Sequence, residues 1–185
     1  EMVIRDWSSD VCSADLQNEM GLTTIQMANI ASIFANRGYY YIPHAVRSIE
    51  EGDIDPKYKK KVYTGFDSIY FSYVVEGMEQ AFMHGTAASV FLQDISQCGK
   101  TGTAENPHGD DHSIFIAFAP KDNPKIAIAV YIENAGFGAT VAAPIASLII
   151  EKYLRGYITR LWMQQNILTT DIIHRPQKPP KKKKK

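Results

Sequence analysis

The chain has 185 residues, of which 45% are apolar and 11% aromatic, which is enough to bury the core of one domain. The formal net charge is zero, but seven of the 20 basic side chains lie in the last twelve residues, HRPQKPPKKKKK, so that residues 1–173 hold 13 basic and 20 acidic groups, a net charge of −7. One basic end without a second basic patch argues against nucleic-acid binding. No apolar run of about 18 residues and no signal-peptide pattern occurs, so any membrane anchor is expected outside the chain.

The basic C-terminal run has the composition of a disordered tail, because proline and lysine do not form a packed core. Contact with an anionic lipid or polymer is the alternative for this tail. The two cysteines, Cys12 and Cys98, are too few for a disulfide framework and lack the spacing of a metal site. We therefore expect no metal and no cofactor.

The first sixteen residues, EMVIRDWSSDVCSADL, show neither helical nor alternating periodicity. They resemble a translated sequencing-adapter string, so residues 1–16 are predicted to be foreign to the domain, with a genuine but disordered N-terminus as the alternative. Regular patterns begin at Thr23, which forms a capping box with Gln26 and starts a helix that Gly38 closes. The apolar positions of this helix are Met27, Ile30, Ala31 and Phe34.

The middle of the chain is predicted to change from extended to helical structure. YYYIPHAVRSI is predicted to be extended, and EEGDIDPKYKKK to be an exposed loop. A second helix is predicted to begin at Ser68 and to stop at Gly85. Its apolar face is formed by Phe71, Val74, Val75, Met78 and Phe82.

Three extended stretches follow, SQCGKTGTAE, HSIFIAFAP and KIAIAVYIE, and the turn KDNP joins the last two. After the loop NAGFGA, a final helix with Pro144 in its first turn is predicted to end at Gly156. The apolar face of that helix is formed by Ile145, Leu148, Ile149 and Tyr153. This order predicts an α+β fold in which helices pack on an antiparallel sheet.

The most informative stretch is CGKTGTAENPHGDDHSIFIAFAP. In an extended segment Lys100 and Gly102 point one way and Thr101 and Thr103 the other. Because Gly102 has no Cβ, an extended peptide can approach and pair with this strand. The ammonium and hydroxyl groups suit a carboxylate, and the Thr103 N–H suits a developing oxyanion, where one donor is typically worth about 100 to 1,000-fold in rate. The strand is thus equipped for acyl transfer.

Two other interpretations of this region are weaker. DISQCGKT ends like a phosphate-binding P-loop, but Asp94 stands where the first glycine belongs, and TGTAENPHG is unsuited to begin a helix. The run HGDDH, from His108 to His112, holds metal-ligand residue types. Five consecutive residues in a glycine-containing turn cannot easily encircle an ion, so this run is interpreted as a solvated loop.

An ordered series of segments carries a family resemblance. The series is TTIQMANIASIFANRGYYYIPH, then GM and GTA within VVEGMEQAFMHGTAAS, then KTGTAE, DHSIFIAFAP and KIAIAVYIENAGFGATVAAPIASLI. It resembles the C-terminal part of a class B penicillin-binding protein, particularly of the penicillin-binding protein 2 type, whose K-T-G motif accompanies S-x-x-K and an S-D-N type motif. The resemblance implies a partial serine transpeptidase or β-lactamase-like fold over residues 17–160, with residues 161–185 as a C-terminal extension that ends in the disordered basic tail.

The resemblance also implies a function, that of a serine D,D-transpeptidase that cross-links peptidoglycan through an acyl-enzyme during cell elongation. Lys100, Thr101 and Thr103 would bind the carboxylate of the substrate or of a β-lactam, Gly102 would permit close approach, and the Thr103 N–H would be half of the oxyanion hole. The implied partners are peptidoglycan stem peptides, β-lactams when the upstream half is present, and membrane proteins of the elongation complex. The implied location is the periplasmic face of the inner membrane.

The remaining motifs of that family do not occur in this sequence. No serine is followed three residues later by lysine, and S-x-N is absent. We therefore predict that the chain is part of a longer transpeptidase and is not acylated alone. A sheet without its upstream strands is also expected to expose apolar surface and to be marginally stable. The alternatives are a catalytically dead module that binds cell-wall peptides or a partner protein, and an unrelated enzyme such as a P-loop nucleotide binder.

Overall fold

The computed structural model describes residues 14–15, 21–50, 52–106 and 109–171. The elements in chain order are β1 (Ala14–Asp15), β2 (Gly21–Leu22), α1 (Thr24–Ala35), β3 (Tyr39–Tyr40), α2 (Pro56–Lys59), β4 (Val62–Tyr63), α3 (Ser68–Met83), a 3₁₀ turn (Ala88–Val90), β5 (Cys98–Ala104), β6 (His112–Ala119), β7 (Ile126–Ile132), α4 (Ala142–Arg155) and α5 (Leu161–Thr169).

The central element is an antiparallel sheet in the order β5-β6-β7, which confirms the predicted antiparallel sheet. Its middle strand, β6, is an apolar run that is buried on both faces, as expected for a strand covered from two sides. The short β1–β2 pair lies beside β5 without joining the sheet. Within the described residues, no strand pairs with the outer edge of β5 or of β7.

Helices cover the sheet on both sides. On one face, Met27 of α1 packs with Ile114 of β6. On the other face, Phe115 of β6 packs with Ala146 of α4 and lies against Phe82 of α3, with the two ring centroids 5.6 Å apart. The structure is therefore the predicted α+β fold, with the sheet between two helical layers.

The start of α1 is fixed by the predicted capping box. The Thr23 Oγ1 atom accepts a hydrogen bond from the Gln26 N–H at 3.3 Å, and the Gln26 Oε1 atom accepts one from the Thr23 N–H at 2.8 Å. Each bond satisfies a backbone donor near the end of the helix, where no carbonyl partner exists within the helix. The sequence pattern thus identified both the position and the mechanism of this cap.

The end of α1 is a Schellman motif. The Gly38 N–H donates to the Ile33 carbonyl at 3.0 Å, and the Arg37 N–H donates to the Phe34 carbonyl at 3.2 Å. Arg37 has φ 58°, in the left-handed region where glycine is usual. Its guanidinium donates to the Phe34 carbonyl at 2.9 Å, so a helix-end carbonyl is satisfied by the same residue that reverses the chain.

Lys121 joins the β6–β7 turn to two helices. Its ammonium donates to Glu79 at 2.6 Å and to Glu76 at 2.9 Å, both on α3. These hydrogen bonds, the one to Glu79 first, raise the pKa of Lys121 above its ordinary value. The Lys121 carbonyl accepts from the Arg37 guanidinium at 3.0 Å. The turn is thereby bound to α3 and to the end of α1.

The predicted apolar faces of α3 and α4 are only partly correct. In α3, Phe71, Val75, Met78 and Phe82 are buried, but Val74 is exposed because it lies beside that stripe. In α4, the predicted apolar face is only partly buried: Leu148 is buried, but Ile149 and Tyr153 are exposed. The buried side of α4 consists of Ala142, Ala143, Ala146, Ser147, Leu148, Ile150 and Glu151. The alanines let this helix lie close to the sheet, while Ile149 and Tyr153 face outward.

The segment between α1 and α3 also differs from its prediction. Glu51 lies outside the described residues, and the rest of EEGDIDPKYKKK is mostly exposed but includes the short helix α2. This helix begins because Pro56 is favoured at a first helical position and the Asp55 carboxylate accepts from the Lys57 N–H at 2.9 Å. Of YYYIPHAVRSI, only Tyr39–Tyr40 forms a strand, which pairs with Val62–Tyr63.

A buried carboxylate fixes the end of α4. Glu151 is buried and accepts hydrogen bonds from Arg155 at 2.8 Å, from Arg160 at 2.9 Å and from the Thr159 N–H at 2.9 Å. Burial favours the protonated acid, but the bonds from Thr159 and Arg160 outweigh burial and hold the pKa of Glu151 below its ordinary 4.5. Arg160 also donates to the Val90 carbonyl at 2.9 Å, which links the chain after α4 to the segment before β5.

We predict that Glu151→Gln lowers the free energy of unfolding by about 3 kcal/mol, because it leaves two guanidinium groups without their buried counter-charge. The pKa of Glu151 is lower in the folded protein than its ordinary value of 4.5. The stabilisation by this carboxylate is therefore complete above pH 4.5 and is lost as the pH falls through the pKa of the folded state. Urea unfolding at neutral and acidic pH measures this difference. The exposed Glu50→Gln is the matched control, with an expected change within about 0.5 kcal/mol. The interpretation is wrong if wild type and Glu151→Gln differ as much in free energy of unfolding at acidic pH as at neutral pH.

Candidate functional site

The four residues of the Lys-Thr-Gly-Thr motif lie in β5, at an outer edge of the described sheet. The register with β6 pairs Lys100 with Ile116, Thr101 with Phe115, Gly102 with Ile114 and Thr103 with Ser113. Because directly paired residues project to the same face, Lys100 and Gly102 share the α1 face and the two threonines share the α4 face. The predicted alternation is therefore confirmed.

Lys100 is exposed, and its ammonium donates to the Thr101 carbonyl at 2.8 Å. This bond holds the charged group along the strand rather than extended into solvent. An anion beside the strand can replace the carbonyl as the acceptor, because hydrogen bonds to a charged acceptor are the stronger ones.

The Thr101 hydroxyl has a partner that the sequence did not assign to the site. Its Oγ1 atom is 2.8 Å from the Thr86 Oγ1 atom, in the turn that follows α3. A hydroxyl with one fixed partner presents its remaining donor or acceptor position in a defined direction. Thr86 belongs to the GTA segment, which is one of the segments that resemble the family. Nothing in the sequence indicated that Thr86 contacts Thr101.

The Thr103 hydroxyl is held by the loop between β7 and α4. The Gly138 N–H donates to Thr103 Oγ1 at 3.4 Å. A Cβ atom at position 138 would lie 2.3 Å from the Ile114 carbonyl oxygen and 2.4 Å from the Gly102 carbonyl oxygen, so only glycine allows this approach. The sequence indicated a loop at NAGFGA but gave no sign that it covers the motif strand.

Buried Ser113 connects that loop to the sheet and to α4. Its hydroxyl donates to the Phe137 carbonyl at 3.0 Å and accepts from the Ala142 N–H at 3.1 Å, at the start of α4. The backbone of the loop makes two further bonds to this end of the sheet, from the Gly136 N–H to the Asp111 carbonyl at 2.7 Å and from the Asn134 N–H to His112 Nδ1 at 3.1 Å. The loop and the motif strand thus form one connected unit.

The residues just before the motif belong to the core. Cys98 is buried, and burial raises the pKa of its thiol to about 12, which makes it unsuited as a nucleophile. A Cβ atom at Gly99 would lie 2.8 Å from the Ile116 carbonyl oxygen and 2.9 Å from the Phe82 ring. The sequence GKT therefore sits inside a strand packed on the core, not ahead of a helix, which is inconsistent with the P-loop alternative.

The candidate metal run HGDDH is only partly described, since His108 lies outside the described residues. His112 accepts the bond from Asn134 and lies against Tyr131, with ring centroids 5.5 Å apart. In residues 14–15, 21–50, 52–106 and 109–171, no three His, Cys, Asp or Glu side chains are grouped as metal ligands. None of the helices in the same ranges is long and apolar enough to span a bilayer.

The family model described as the penicillin-binding protein transpeptidase domain matches residues 5–151, most of the chain, including the motif strand and the loop above it. The chain belongs to the penicillin-binding protein transpeptidase family. The resemblance of its sequence segments to class B members of the family is confirmed. The match begins within residues 1–16, whose foreign origin stays a prediction.

The relatives are peptidoglycan transpeptidases. The D,D-transpeptidase MrdA of Haemophilus influenzae is 30% identical over 71% of this chain and 24% of its own length, and PbpA of Mycolicibacterium smegmatis is 30% identical over 75% of this chain and 30% of its own. The chain thus spans less than a third of the length of these two relatives.

Solved structures give the same result. Penicillin-binding protein 2 of Pseudomonas aeruginosa in complex with WCK 5153 aligns with a TM-score of 0.63 and 33% identity over 79% of this chain and 33% of its own. The imipenem acyl-enzyme of penicillin-binding protein A from Mycobacterium tuberculosis aligns with a TM-score of 0.64 and 30% identity over 75% of this chain and 32% of its own. The fold is that of a penicillin-binding protein transpeptidase domain.

We predict that Gly138→Ala moves the loop away from β5, because its methyl group would overlap two carbonyl oxygens, and that it destabilises the protein by about 1 to 3 kcal/mol. Hydrogen exchange of the Gly138 and Thr103 amides, with urea unfolding, measures both effects. Gly77→Ala in α3 is the control, since no atom lies within 4 Å of its added methyl group, and it should be neutral or stabilising by up to about 1 kcal/mol. Unchanged exchange in Gly138→Ala contradicts the close packing of the loop.

Proposed function

We propose that this chain is the substrate-binding part of a peptidoglycan D,D-transpeptidase, and that the serine nucleophile and its lysine base lie in a part of the protein outside these 185 residues. The observation that supports the proposal is the edge strand β5, which presents Lys100, Thr101 and Thr103 beside an edge with which no described strand pairs. An edge strand offers unpaired backbone groups to an extended peptide.

In the proposed mechanism a stem peptide lies along the outer edge of β5. Its terminal D-Ala carboxylate is reached from one face of the strand by the Lys100 ammonium, which already lies along the strand at the Thr101 carbonyl, and from the other face by the hydroxyls of Thr101 and Thr103. These groups neutralise and orient the carboxylate, and Thr86 and Gly138 fix the two hydroxyls. The absent serine attacks the carbonyl carbon between the two D-Ala residues, and the Thr103 N–H donates to the oxyanion that forms. The C–N bond then breaks, and D-Ala leaves with a proton on its nitrogen. An amine of a neighbouring strand later replaces the serine oxygen at the acyl carbon.

The same residues would hold a β-lactam, whose carboxylate and strained amide resemble the peptide end. Penicillin-binding protein A of M. tuberculosis forms an acyl-enzyme complex with imipenem. β-Lactams are therefore suitable probes for the longer protein to which this chain belongs. We also propose that the longer protein to which this chain belongs acts at the periplasmic face of the inner membrane, through an anchor outside this chain. It acts there together with membrane proteins of the elongation complex.

A second candidate is a catalytically dead module that binds cell-wall peptides along the same strand. One observation favours it, namely that no serine in the 185 residues is followed three positions later by lysine. The two candidates differ in whether the gene continues upstream. A long sequencing read across the source locus decides this point, because the transpeptidase requires a continuous frame with S-x-x-K and S-x-N ahead of residue 17.

We predict that the longer protein encoded at that locus is labelled by a fluorescent penicillin and that the 185-residue chain is not. In the longer protein Lys100→Ala should slow labelling by roughly 100-fold, because the carboxylate loses its counter-charge. Lys125→Ala replaces an exposed lysine just before β7; it is the matched control and should label normally.

Two results would count against the transpeptidase. If Lys100→Ala is labelled as fast as the unchanged longer protein, the motif strand takes no part in the reaction. A frame that begins at residue 1, combined with binding of a D-Ala-D-Ala peptide by the purified chain without acylation, would establish the binding module instead.

A further inference from the structure

Three consecutive residues at the start of β6 hold the loop between β7 and α4, each through one hydrogen bond to the backbone of that loop. The bonds join the Asp111 carbonyl to the Gly136 N–H, His112 Nδ1 to the Asn134 N–H, and the Ser113 hydroxyl to the Phe137 carbonyl, at 2.7, 3.1 and 3.0 Å. A carbonyl and a hydroxyl keep their hydrogen-bonding roles between about pH 5 and 8, whereas an imidazole does not. Of these three contacts, the one made by His112 is therefore the one that can respond to pH.

The direction of the His112 bond fixes where the ring carries its proton. A backbone N–H can only donate, so Nδ1 of His112 is the acceptor and is unprotonated. The proton of the neutral ring is then on Nε2. A second proton can bind only at Nδ1, where it removes the acceptor and faces the Asn134 N–H. Protonation of His112 therefore breaks its contact with the loop.

His44 has the opposite arrangement and provides a comparison within the same chain. Its Nδ1 atom lies 2.9 Å from the Ile42 carbonyl oxygen, which can only accept. Nδ1 of His44 is thus the donor, and its bond is kept when the ring becomes positively charged. The two histidines differ in their response to protonation, because one uses Nδ1 as an acceptor and the other uses it as a donor.

Asn134 has a backbone conformation that depends on its contacts. Its φ is 53°, in the left-handed region that residues other than glycine occupy uncommonly and asparagine more readily than most. Its Oδ1 atom accepts a hydrogen bond from Asn106 Nδ2 at 2.6 Å, and its N–H donates to His112. Residues in sparsely populated regions stay there only while the surrounding structure holds them. Loss of the acceptor on His112 therefore favours a change of backbone conformation at the start of the loop.

Further along, the same loop lies on the motif strand. The Gly138 N–H donates to Thr103 Oγ1, and the Gly138 backbone is so close to β5 that an added Cβ atom would lie 2.4 Å from the Gly102 carbonyl oxygen. The bond to Thr103 is 3.4 Å long, beyond the usual range of about 2.7 to 3.2 Å. A small displacement of the loop is therefore enough to release the Thr103 hydroxyl.

The other titratable groups around His112 come from all the elements beside it. In the described segments they are Asp110 and Asp111 before β6, Glu105 after β5, Tyr131 on β7 and Glu133 after β7. α1 lies on the same face of the sheet and has no charged residue, and the Lys100 ammonium is held at the Thr101 carbonyl, four residues along β5 from the partner of His112. Carboxylic acids as a class titrate at about pH 4 and phenols at about pH 10. A response between about pH 6 and 8 is therefore assigned to histidine.

We infer that His112 is a positioning residue whose neutral imidazole holds the β7–α4 loop on the motif strand, and that protonation of this ring releases the loop from Thr103. The release of the loop does not depend on what the motif strand binds. Its effect on the reaction rests on the proposed function, in which the Thr103 hydroxyl binds the substrate carboxylate. Binding should then weaken as His112 becomes charged, whereas a positive charge acting only through electrostatics would attract the carboxylate.

NMR spectroscopy of the 185-residue chain tests the inference. At about pH 8 the nitrogen chemical shifts of the His112 ring should show a proton on Nε2 and none on Nδ1. Hydrogen exchange then reports the loop, through the Asn134 amide that contacts His112 and the Gly138 amide that contacts Thr103. After correction for intrinsic exchange rates, the protection of both amides should fall by roughly tenfold between about pH 8 and about pH 5.5, as expected for the loss of one hydrogen bond.

Two substitutions at His112 separate its hydrogen bond from its charge. His112→Asn places an amide oxygen near the position of Nδ1 and does not titrate, so both amides should stay protected at both pH values. His112→Leu removes the acceptor, so both amides should be poorly protected at both pH values. The matched control is His44→Asn, which should keep the pH response of the wild type. His112→Asn is sufficient for the test if His112→Leu does not fold.

Three results would overturn the inference. The first is a proton on Nδ1 of His112 at about pH 8, because the ring could not then accept from Asn134. The second is amide protection that does not change with pH, or that falls equally in His112→Asn, because the imidazole would then have no role in the response. The third is a fall at Asn134 without a fall at Gly138, because the contact would then be local and would not position the loop on the motif strand.

Labelling of the longer protein with a fluorescent penicillin tests the consequence for the reaction. Between about pH 8 and about pH 5.5, the labelling rate of the wild type should fall roughly tenfold more than that of His112→Asn. If the amides respond as expected but the two rates fall equally, His112 still positions the loop, and the role of the Thr103 hydroxyl in the proposed function is wrong. If the longer protein is not labelled at all, the proposed function fails while the result from the amides stands.

Discussion

Strand β6 is buried on both faces, and the positions of the other elements follow from it. Because alternate residues face opposite layers, Ile114 and Phe118 require one apolar cover and Phe115 and Ala117 another. α1 supplies the first and α4 the second. β6 also sets the register of β5, so the direction of every side chain in the motif strand is decided by which β6 residue it opposes.

This arrangement explains why the candidate site needs groups from distant parts of the chain. β5 lies at the side of the described sheet, and its two threonine hydroxyls are held by loop segments. The turn after α3 reaches Thr101 and the β7–α4 loop reaches Thr103. Ser113 then ties this loop to the first turn of α4, so the helix that covers the core also steadies the site. A rigid strand with fixed hydroxyls suits preorganised binding of a carboxylate.

The sequence was informative where a local rule decides the structure. The capping box at Thr23, the alternation of Lys100 to Thr103 and the antiparallel strands follow from hydrogen-bond partners or from the two-residue period of a strand. It failed for α4, because both sides of that helix are apolar and only tertiary packing selects the side rich in alanine. Thr86, Ser113 and Gly138 were missed as site residues, since each acts through a contact between segments that no spacing in the sequence records.

The charge cluster around Glu151 has a consequence for where this structural unit ends. The match to the family model ends at residue 151, but the partners of that carboxylate, Arg155, Thr159 and Arg160, all come later. A chain cut at the limit of similarity would leave a buried anion without compensation and would release the Val90 carbonyl that Arg160 holds. The smallest piece that keeps this cluster intact therefore reaches at least to residue 160, so electrostatics extends the cooperative unit beyond the part that the family model matches.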